Sequence, residues 1–526
     1  MLRCINSCSA FQTNIFQRRN NMDYSRFKSG SDIRGYALGD ESNPLYMNNE
    51  MVMRCSAAFA DWLKTKTGKD RLLVSVGHDS RLSAERIKAA VIKALTSNGI
   101  EVTDCGLAST PAMFMTTVEA ECDGAIQITA SHHPKDRNGL KFFTRNGGLD
   151  GSDIADILKS AGEMSSPLGG ENAKCTPCNF MKRYAEILRN MIIDGVDDKA
   201  DRLHPLSGMK IVVDAGNGVG GFYATDVLEP LGADISGSLY LNPDGSFPNH
   251  APNPENAEAM KCVSSAAKAA GADFGVIFDT DVDRAACVGK GGFEINRNRL
   301  VALAAKIALA SCPGGTIVTD SVTSDGLAEF IKENGGVHLR FKRGYRNVIN
   351  KQIELTESGI RCPLAMETSG HAAFAENYFL DDGAYLITKL IIEAASLSRN
   401  GMSLEDLIGN LSEPIEEKEL RFKILCDDFR PEGEKIIALF ENEAELKPEW
   451  TPNNDNHEGI RINADSDSGN GWFLLRLSVH DPIIVLNAES NENGGILKML
   501  KAVHSVISKA ENIDIIDISS LEDFVK

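Results

Sequence analysis

Residues 71–99, RLLVSVGHDSRLSAERIKAAVIKALTSNG, decide the fold class. The apolar segment at 71–77 has the pattern of a buried strand, and a helix is predicted after it, with Ser83 as its N-cap and Gly99 as its stop. The apolar residues of that helix recur at helical spacing and form one stripe: Ile87, Ala90, Val91, Ala94 and Leu95. A buried strand followed by an amphipathic helix is typical of an α/β fold.

The same alternation of strand and helix continues along the chain. Further buried strands are predicted at KIVVDAG (210–216), FGVIFD (274–279) and GTIVTDSV (315–322). After about residue 420, closely spaced strands such as GWFLLRLSV indicate an α+β domain. We therefore predict three related α/β domains with mixed, mostly parallel sheets and a C-terminal α+β domain, at residues 23–200, 201–298, 299–414 and 415–526.

Composition limits the classes of protein and partner. The 526 residues are 42% apolar and 25% charged, as in a globular protein of several domains. The net charge, 55 basic minus 74 acidic residues, is -19, so we expect neither nucleic acid nor an anionic membrane as a partner. An anionic substrate would therefore need a local basic site or a bound cation.

Residues 1–22 have the composition of an organellar transit segment, since they contain Arg3, Arg18 and Arg19 but no acid. An extended start is the alternative, because Met22 directly precedes the first structured-looking run. An apolar signal region is missing, so we do not expect secretion. The predicted location is the cytoplasm, or a plastid or mitochondrion if this segment acts as a transit peptide.

The twelve cysteines contain one CxxC pair, Cys175 and Cys178. One such pair supplies only half of a four-ligand zinc site. A chain of this size needs no disulfides to close its core, so we expect reduced, structural cysteines. A redox role for the pair stays open.

The turn after the apolar strand GAIQI (124–128) carries the best candidate for a phosphorylated residue. The run TASHHPKDRNGLKFF follows this strand and places Ser131 beside two histidines and near Lys141. Pro134 favours a turn, and chemistry concentrates on turns at strand ends. Ser131, His132 and Lys141 are therefore candidate catalytic residues.

The acidic run FDTDVDR (278–284) predicts a metal site. Asp279, Asp281 and Asp283 alternate along a segment predicted to be extended, so their carboxylates would share one face. Three hard oxygen ligands suit Mg²⁺. The alternative is a solvated acidic turn.

Two later loops offer groups that bind hydroxyls and phosphate. In ETSGH (367–371), Glu367 and Ser369 can hydrogen-bond hydroxyls, and His371 can exchange a proton near neutral pH. In RLSVHDP, the candidate phosphate clamp on one side of a predicted strand consists of Arg476, Ser478 and His480. A surface strand with alternating polar residues is the alternative there.

Gly-containing loops carry further basic residues. Each could be solvated, but together they could supply the local positive charge that a phosphorylated anion requires. These residues are Arg34, Arg81, Lys342, Arg343 and Arg346.

The order of the motifs resembles that of the α-D-phosphohexomutase superfamily, which includes phosphoglucomutase, phosphomannomutase and phosphoglucosamine mutase. The seven motifs are SDIRG, GHDSRLS, TASHHP with NGLK, DTDVDR, KRGYR, ETSGH and RLS, and the resemblance extends from about residue 27 to 490. It implies three related α/β domains and a C-terminal α+β domain around a central cleft.

The resemblance also implies roles for single residues. Ser131 corresponds to the phosphoserine, whose phosphate would bind one Mg²⁺ ion together with Asp279, Asp281 and Asp283. The positions that assist phosphoryl transfer and proton movement match Arg34, Lys141, Arg284 and His371. Those that grip sugar hydroxyls match Glu367 and Ser369, and those that hold the distal phosphate match Arg476 and Ser478.

The implied activity is interconversion of hexose 1-phosphate and hexose 6-phosphate of the glucose, mannose or glucosamine type. The phosphoserine would donate its phosphoryl group to a sugar monophosphate, and the resulting bisphosphate would turn over and rephosphorylate Ser131. A sugar 1,6-bisphosphate is the expected activator. We expect the enzyme to be a monomer or a weak dimer.

Several positions depart from the common pattern of the superfamily. His133 stands where Asn is usual, AMETSGH lacks a double Gly and a second acid, and VHDP replaces GTEP after Ser478. These variants resemble a divergent plant and algal branch of phosphoglucosamine-mutase-like proteins. They leave the identity of the sugar open.

Three alternatives remain at the level of sequence. GVIFDTDVD also fits the aspartyl-phosphate motif of haloacid-dehalogenase-type phosphatases, with Asp279 as the nucleophile and Asp281 as the acid/base, although this would leave TASHHP and ETSGH without a role. The altered clamp would suit a non-catalytic sugar-phosphate sensor. A sugar-bisphosphate synthase of the same family would release the intermediate.

Overall fold

The computed structural model describes residues 23–426, 428–453, 455–478 and 481–514. They form two compact units, each built from separate stretches of the chain. The first unit contains the residues up to 296 together with 369–372 and 377–404, and the second contains 297–368, 373–376 and the residues from 405 onward. Residues 1–22 lie outside the described part, so their role in targeting stays a prediction, as does the division into four domains at the stated boundaries.

Residues 28–196 build a mixed sheet with helices. The strands are β1 (Lys28–Ser29), β2 (Asp32–Tyr36), β3 (Leu73–His78), β4 (Glu101–Leu107), β5 (Gly124–Ile128), β6 (Arg137–Thr144), β7 (Gly147–Gly148) and β8 (Cys175–Pro177). The helices are α1 (Asn49–Thr67), α2 (Ala84–Ser97), α3 (Thr110–Glu119), α4 (Gly151–Glu163) and α5 (Phe180–Val196). The strand order is β1-β2-β6-β5-β3-β4-β8, with β7 beside β6. β3 pairs in parallel with β4 and β5, whereas β6 is antiparallel to β2 and β5.

The strand and helix predicted at residues 71–99 are present as β3 and α2. The predicted apolar stripe of α2 is buried, and Gly99 at φ = +75° follows the helix as its stop. Ser83 precedes α2, but its side chain does not cap it, because its backbone is already helical. Its hydroxyl instead accepts a hydrogen bond from Asn138 Nδ2 at 2.8 Å, which ties the start of α2 to β6.

Residues 211–295 form a second, smaller mixed sheet in the first unit. Its strands are β9 (Ile211–Asp214), β10 (Phe274–Phe278), β11 (Ala285–Val288) and β12 (Glu294–Ile295), in the order β12-β11-β10-β9, and its helix is α6 (Ala257–Ala270). β10 is parallel to β9 and antiparallel to β11. The chain therefore reverses direction directly after β10, and the acidic motif lies in this reversal.

Residues 298–407 contribute strands and helices to both units. They are β13 (Thr316–Asp320), β14 (Val337–Phe341), β15 (Leu364–Met366), β16 (Ala372–Phe374), β17 (Leu380–Asp381), α7 (Asn298–Ser311), α8 (Asp325–Glu333), α9 (Tyr345–Glu357), α10 (Gly383–Ser398) and α11 (Leu404–Leu407). In the second unit, β13 pairs in parallel with both β14 and β15. In the first unit, α10 packs near α5, where Tyr184 donates a hydrogen bond to Asp382 at 2.7 Å.

The C-terminal part of the second unit is an antiparallel sheet with two helices. Its elements are β18 (Glu416–Lys423), α12 (Phe429–Leu446), β19 (Trp450–Pro452), β20 (Ile460–Ala464), β21 (Gly471–Leu477), β22 (Ile483–Ser490) and α13 (Gly495–Ile507). The strand order is β18-β22-β21-β20-β19. Phe440, Trp450 and Phe473 pack in its core, with 5.0 Å between the ring centroids of Trp450 and Phe473. The predicted fold, three α/β domains with mixed sheets and a C-terminal α+β domain, is confirmed.

No disulfide joins cysteines in the described residues; Cys175 is exposed and Cys178 is half-buried, so the role of this pair stays open. Every helix in the same part of the chain is too short or too polar to cross a membrane.

Candidate active site

Ser131 lies on the turn that follows β5, as predicted. Its backbone has φ = +51°, in the left-handed region that residues other than glycine rarely adopt. The Ser131 N–H donates to Thr129 Oγ1 at 2.9 Å, and only 3% of the residue is exposed. The surrounding residues therefore fix the backbone conformation of Ser131 and, with it, the position of its hydroxyl.

The three aspartates of the acidic motif converge, but through a turn and not through the extended segment that the alternation predicts. Because β10 and β11 are antiparallel neighbours, the chain must reverse between them, and Asp279 N–H closes the turn on the Arg284 carbonyl at 3.2 Å. One carboxylate oxygen from each of Asp279, Asp281 and Asp283 lies within 4.8 Å of the others. All three side chains are buried.

Lys141 on β6 supplies positive charge to this aspartate cluster. Its ammonium group donates to Asp281 Oδ2 at 3.1 Å and also contacts Asp283 Oδ2. Thr110, at the start of α3, donates its hydroxyl to Asp281 as well. Burial alone would raise the pKa of Asp283, but Lys141 lowers it below its usual range. Lys141, which sequence alone placed near Ser131, thus belongs to the aspartate cluster.

Ser131 and the aspartate cluster meet at Asp279. The Ser131 hydroxyl donates to Asp279 Oδ2 at 2.9 Å, and Arg284 Nη2 lies 3.3 Å from the same hydroxyl and 3.2 Å from the same carboxylate oxygen. Burial, and then the charges of Asp283 and Asp281, raise the pKa of Asp279 well above its usual value. A serine hydroxyl, a carboxylate and a guanidinium group are therefore in mutual contact in the interior of the first unit.

The histidines beside Ser131 are held neutral. The charge of Arg284 and then burial lower the pKa of His132, whose Nδ1 lies 3.4 Å from Ser131 Oγ. Burial and then Arg34 lower the pKa of His133 to about 3. Arg34 itself lies on β2 and forms an ion pair with Asp32 at 2.7 Å. Because the one hydroxyl proton of Ser131 goes to Asp279, neutral His132 can only donate to Ser131 Oγ, in the tautomer that carries a proton on Nδ1.

His371 joins the same site from a distant part of the sequence, through an isolated bridge with Arg284. Its Nδ1 lies 2.5 Å from Asp381 Oδ2. Burial alone would lower the pKa of His371, but the Asp381 carboxylate raises it to about 9. Gly370 permits this approach, because a Cβ there would lie 2.4 Å from the Ala285 carbonyl oxygen. Ser369 is buried in the same short stretch of the first unit.

The second unit contains a separate cluster around Arg476, whose guanidinium lies 3.9 Å from Glu458 Oε1. Glu458 Oε2 accepts hydrogen bonds from the Ser321 hydroxyl at 2.7 Å and from the Arg343 N–H at 2.9 Å. Glu367 Oε1 accepts one from the Gly344 N–H at 2.5 Å. This cluster mixes arginines with carboxylates.

The predicted clamp differs locally from its expected geometry. β21 ends at Leu477, so Ser478 lies just beyond the strand, where its N–H donates to the Ile483 carbonyl at 2.9 Å. His480 lies outside the described residues. Lys342 is exposed and Arg346 is half-buried at the start of α9. Arg81 does not supply positive charge for a bound anion, because its guanidinium forms an ion pair with Asp79 and donates hydrogen bonds to backbone carbonyls.

Sequence reasoning missed three partners in these clusters: Thr110, Asp381 and Glu458. The paired acids before α10 were a signal for Asp381, since an acid there can cap a helix or turn back to a nearby loop. Thr110 and Glu458 carry no comparable signal, because their partners are distant in the sequence.

Three family models match the chain in succession. They are the models of phosphoglucomutase/phosphomannomutase alpha/beta/alpha domain I at residues 26–165, domain II at 182–292 and domain III at 296–414. Together they match more than half of the chain and include the Ser131 turn, the aspartate cluster and the loop of His371.

Similar proteins match over most of their length. A phosphomannomutase/phosphoglucomutase of Pseudomonas syringae pv. tomato is 30% identical over 88% of this chain and 93% of its own. A phosphoglucomutase/phosphomannomutase of Thermococcus kodakarensis is 31% identical over 87% of this chain and 93% of its own. A crystal structure of a phosphoglucomutase/phosphomannomutase family protein from Burkholderia thailandensis is similar with a TM-score of 0.77 at 26% identity, covering 94% of this chain and 100% of that one.

Proposed function

Since this chain belongs to the phosphoglucomutase/phosphomannomutase family of the α-D-phosphohexomutase superfamily, and so to the intramolecular phosphotransferases, we propose that it transfers phosphoryl groups through Ser131. The proposed reaction interconverts hexose 1-phosphate and hexose 6-phosphate by way of a sugar bisphosphate. The contact of Ser131 Oγ with Asp279 Oδ2 at 2.9 Å is the observation that carries the proposal. It joins the proposed phosphate carrier to the aspartate cluster.

The aspartate cluster fits a hard divalent cation. Within the described residues no donor reaches Asp281 Oδ1 or Asp283 Oδ1, although both atoms are buried. Buried carboxylate oxygens without partners are costly unless a cation satisfies them. We propose that Asp279, Asp281 and Asp283 hold one Mg²⁺ ion, which when bound would offset the charge of the phosphate on Ser131.

The residues around Ser131 have distinct proposed tasks. Arg284 lies within 3.3 Å of Ser131 Oγ and supplies positive charge where the phosphoryl group leaves the serine oxygen. Lys141 compensates the charge of Asp281 and Asp283. His371, held by Asp381, is the proposed group that exchanges the proton of the sugar hydroxyl. In the first half-reaction the oxygen of a sugar hydroxyl bonds to phosphorus as the bond from phosphorus to Ser131 Oγ breaks, and the hydroxyl proton ends on the serine oxygen. The second half-reaction transfers the other phosphate of the bisphosphate back to Ser131, so the overall reaction is an isomerisation.

The second unit supplies the proposed binding groups. Arg476, with Ser478 nearby, offers a fork for the phosphate that is not reacting. Glu367, fixed by the Gly344 N–H, offers a carboxylate for sugar hydroxyls. In the first unit, Ser369 is a further proposed ligand of sugar hydroxyls. Because the bisphosphate must present each phosphate in turn to Ser131, we expect a sugar 1,6-bisphosphate to activate the enzyme.

The alternatives differ in their products. A mutase releases the isomeric monophosphate, a bisphosphate synthase accumulates bisphosphate, and a sensor turns over neither. A haloacid-dehalogenase-type phosphatase would release inorganic phosphate and carry a labile acyl phosphate at Asp279. The contacts of Asp279 with Ser131 and Arg284 favour an acid-stable phosphate at Ser131.

Ser131→Ala is the direct test. With Mg²⁺, a bisphosphate and glucose 1-phosphate, mannose 1-phosphate or glucosamine 6-phosphate, we expect it to lose at least ~10³-fold in turnover. Ser56→Ala is the matched control, because Ser56 is also a buried serine of the first unit, but within the described residues its hydroxyl bonds to nothing except the Val52 carbonyl of its own helix, at 2.8 Å. Wild-type turnover by Ser131→Ala, or phosphate mapped to Asp279, would refute the proposed mechanism.

A further inference from the structure

Arg81 uses all its side-chain donors inside the protein. A guanidinium group has five N–H donors. In Arg81, Nε binds Asp79 Oδ2 at 3.1 Å, Nη1 binds the carbonyls of Pro134 and Arg137 at 2.7 and 3.0 Å, and Nη2 binds those of Ser131 and His133 at 2.5 and 2.6 Å. No donor is left for a substrate phosphate. The carbonyls of Ser131, His133 and Pro134 belong to the turn that carries Ser131, and that of Arg137 lies where β6 begins.

The ion pair of Arg81 and Asp79 fixes both peptide groups of Ser131, the one that contains its N–H and the one that contains its carbonyl. On one side, the Ser131 N–H donates to Thr129 Oγ1, whose hydroxyl donates to Asp79 Oδ2 at 2.7 Å. On the other side, the Ser131 carbonyl accepts from Arg81. Asp79 is fixed in turn by the Arg81 N–H at 2.9 Å. These bonds enclose the one residue of the turn with φ in the left-handed region, +51°, which persists only where the surroundings enforce it.

This arrangement is closed to solvent. The side chains of Arg81 and Asp79 are both 0% exposed. The Phe247 ring covers the guanidinium at 5.4 Å, and a Cβ at Gly245 would lie 2.4 Å from the Ser80 carbonyl oxygen, so the 245–247 loop packs directly on the Arg81 turn. Water therefore cannot replace these hydrogen bonds without opening the packing of the first unit.

We propose that Arg81 is a positioning residue for phosphoryl transfer: anchored on Asp79, it fixes the backbone of the Ser131 turn and so the direction of the Ser131 hydroxyl toward Asp279 and Arg284. This role rests on the proposed function of Ser131. It differs from that of the other basic residues, because Arg81 acts on the serine through backbone carbonyls and never on the sugar phosphate.

Arg81→Lys tests the proposal. Lysine keeps the charge but has three donors on one atom, so it cannot span four carbonyls and Asp79. Misplacing the serine oxygen should reduce kcat by about 100-fold, whereas KM for hexose phosphate should change by less than about threefold. Faster hydrogen–deuterium exchange is expected in residues 129–138, a readout that does not depend on activity.

Arg86→Met is the matched control. Arg86 also binds backbone carbonyls of the first unit, those of Met47 and Ala37 at 3.1 Å each, but none in the Ser131 turn. We expect it to keep kcat within about twofold and to leave exchange in residues 129–138 unchanged.

The outcomes separate the two proposals. Unchanged exchange in residues 129–138 of Arg81→Lys, or a loss of kcat no greater than in Arg86→Met, would overturn the role of Arg81. If the wild-type protein has no mutase activity and its Ser131 takes no phosphate from a sugar bisphosphate, the proposed function fails. The exchange experiment would still decide whether Arg81 holds the turn.

Discussion

Ser131 in the first unit and Arg476 in the second are both buried, but the carboxylates around them differ in whether their oxygens have hydrogen-bond donors. Around Ser131, four carboxylates, Asp381 included, outnumber Lys141, Arg284 and the charged His371, and two oxygens of the aspartate cluster have no donor in the described part of the chain. Around Arg476, Arg343 is accompanied by the carboxylates of Glu458 and Asp320. The first cluster leaves buried carboxylate oxygens open to a cation, whereas among the described residues no buried carboxylate oxygen near Arg476 lacks a partner, so chemistry and phosphate binding should respond differently to mutation.

Removal of one carboxylate in each unit should produce the largest contrast. Asp283→Asn keeps the shape but removes a proposed metal ligand, and we expect kcat to fall by roughly 10³-fold. Asp320→Asn changes a buried carboxylate of the second unit that accepts from Thr368 Oγ1 at 3.0 Å, and we expect mainly a rise in KM, by about tenfold. Steady-state kinetics over a Mg²⁺ titration measures both. Equal losses of kcat would contradict the division of tasks.

Arg476→Met should act on binding and not on chemistry. Loss of the charged fork should raise KM for hexose phosphate by about 30-fold, with kcat within about threefold. Arg421→Met is the control, since Arg421 lies on β18 of the same sheet but is 66% exposed and pairs with Glu419. A fall in kcat without a change in KM would show that Arg476 acts in the transfer step.

Glu458→Gln should improve substrate binding slightly. The Glu458 carboxylate lies 3.9 Å from Arg476 and opposes the approach of a phosphate, whereas glutamine keeps an oxygen for Ser321 and the Arg343 N–H. We expect KM to fall by about threefold, with a weaker effect at high salt. A higher KM would instead identify Glu458 as a ligand of the substrate.

The smallest expected effect concerns stability and pH in the second unit. Burial raises the pKa of Glu489 to about 7, against the opposing charge of Arg461 and a hydrogen bond from Trp472 Nε1 at 2.9 Å. Because the folded state binds this proton more tightly than the unfolded state, stability from this group is present below about pH 4.5 and is lost as pH rises to about 7.

Glu489→Gln should therefore have the same free energy of unfolding as the wild type at pH 4.5. At pH 8 its free energy of unfolding should be higher by on the order of 1 kcal/mol, which raises its melting temperature. Thermal melts at the two pH values measure this, and Glu445→Gln, an exposed residue of α12, is the control. A variant that is less stable than the wild type at pH 8 would contradict the sign of the effect.

Short sequence patterns predicted those features that depend only on residues adjacent in the sequence. The strand β5, the turn of Ser131 and the identity of the three aspartates all follow from short runs of apolar and turn-forming residues. The predicted extended geometry of the aspartates was wrong, because the chain reversal between β10 and β11 depends on the antiparallel pairing of these two strands. The role of Arg81 was out of reach for a stronger reason: its acceptors are backbone carbonyls 50 to 56 residues away, which no side-chain pattern reveals.

The discontinuous first unit has a consequence for the order of synthesis. A nascent chain that ends at residue 296 has made Ser131 and the aspartates but neither His371 nor α10. Tyr184 would then lack Asp382, to which it donates at 2.7 Å, and Tyr223 would lack Thr388 at 2.8 Å. The ribosome must therefore produce most of the α/β part of the second unit before α10 can complete the first one, so the unit that contains Ser131 finishes folding late although the serine itself is made early.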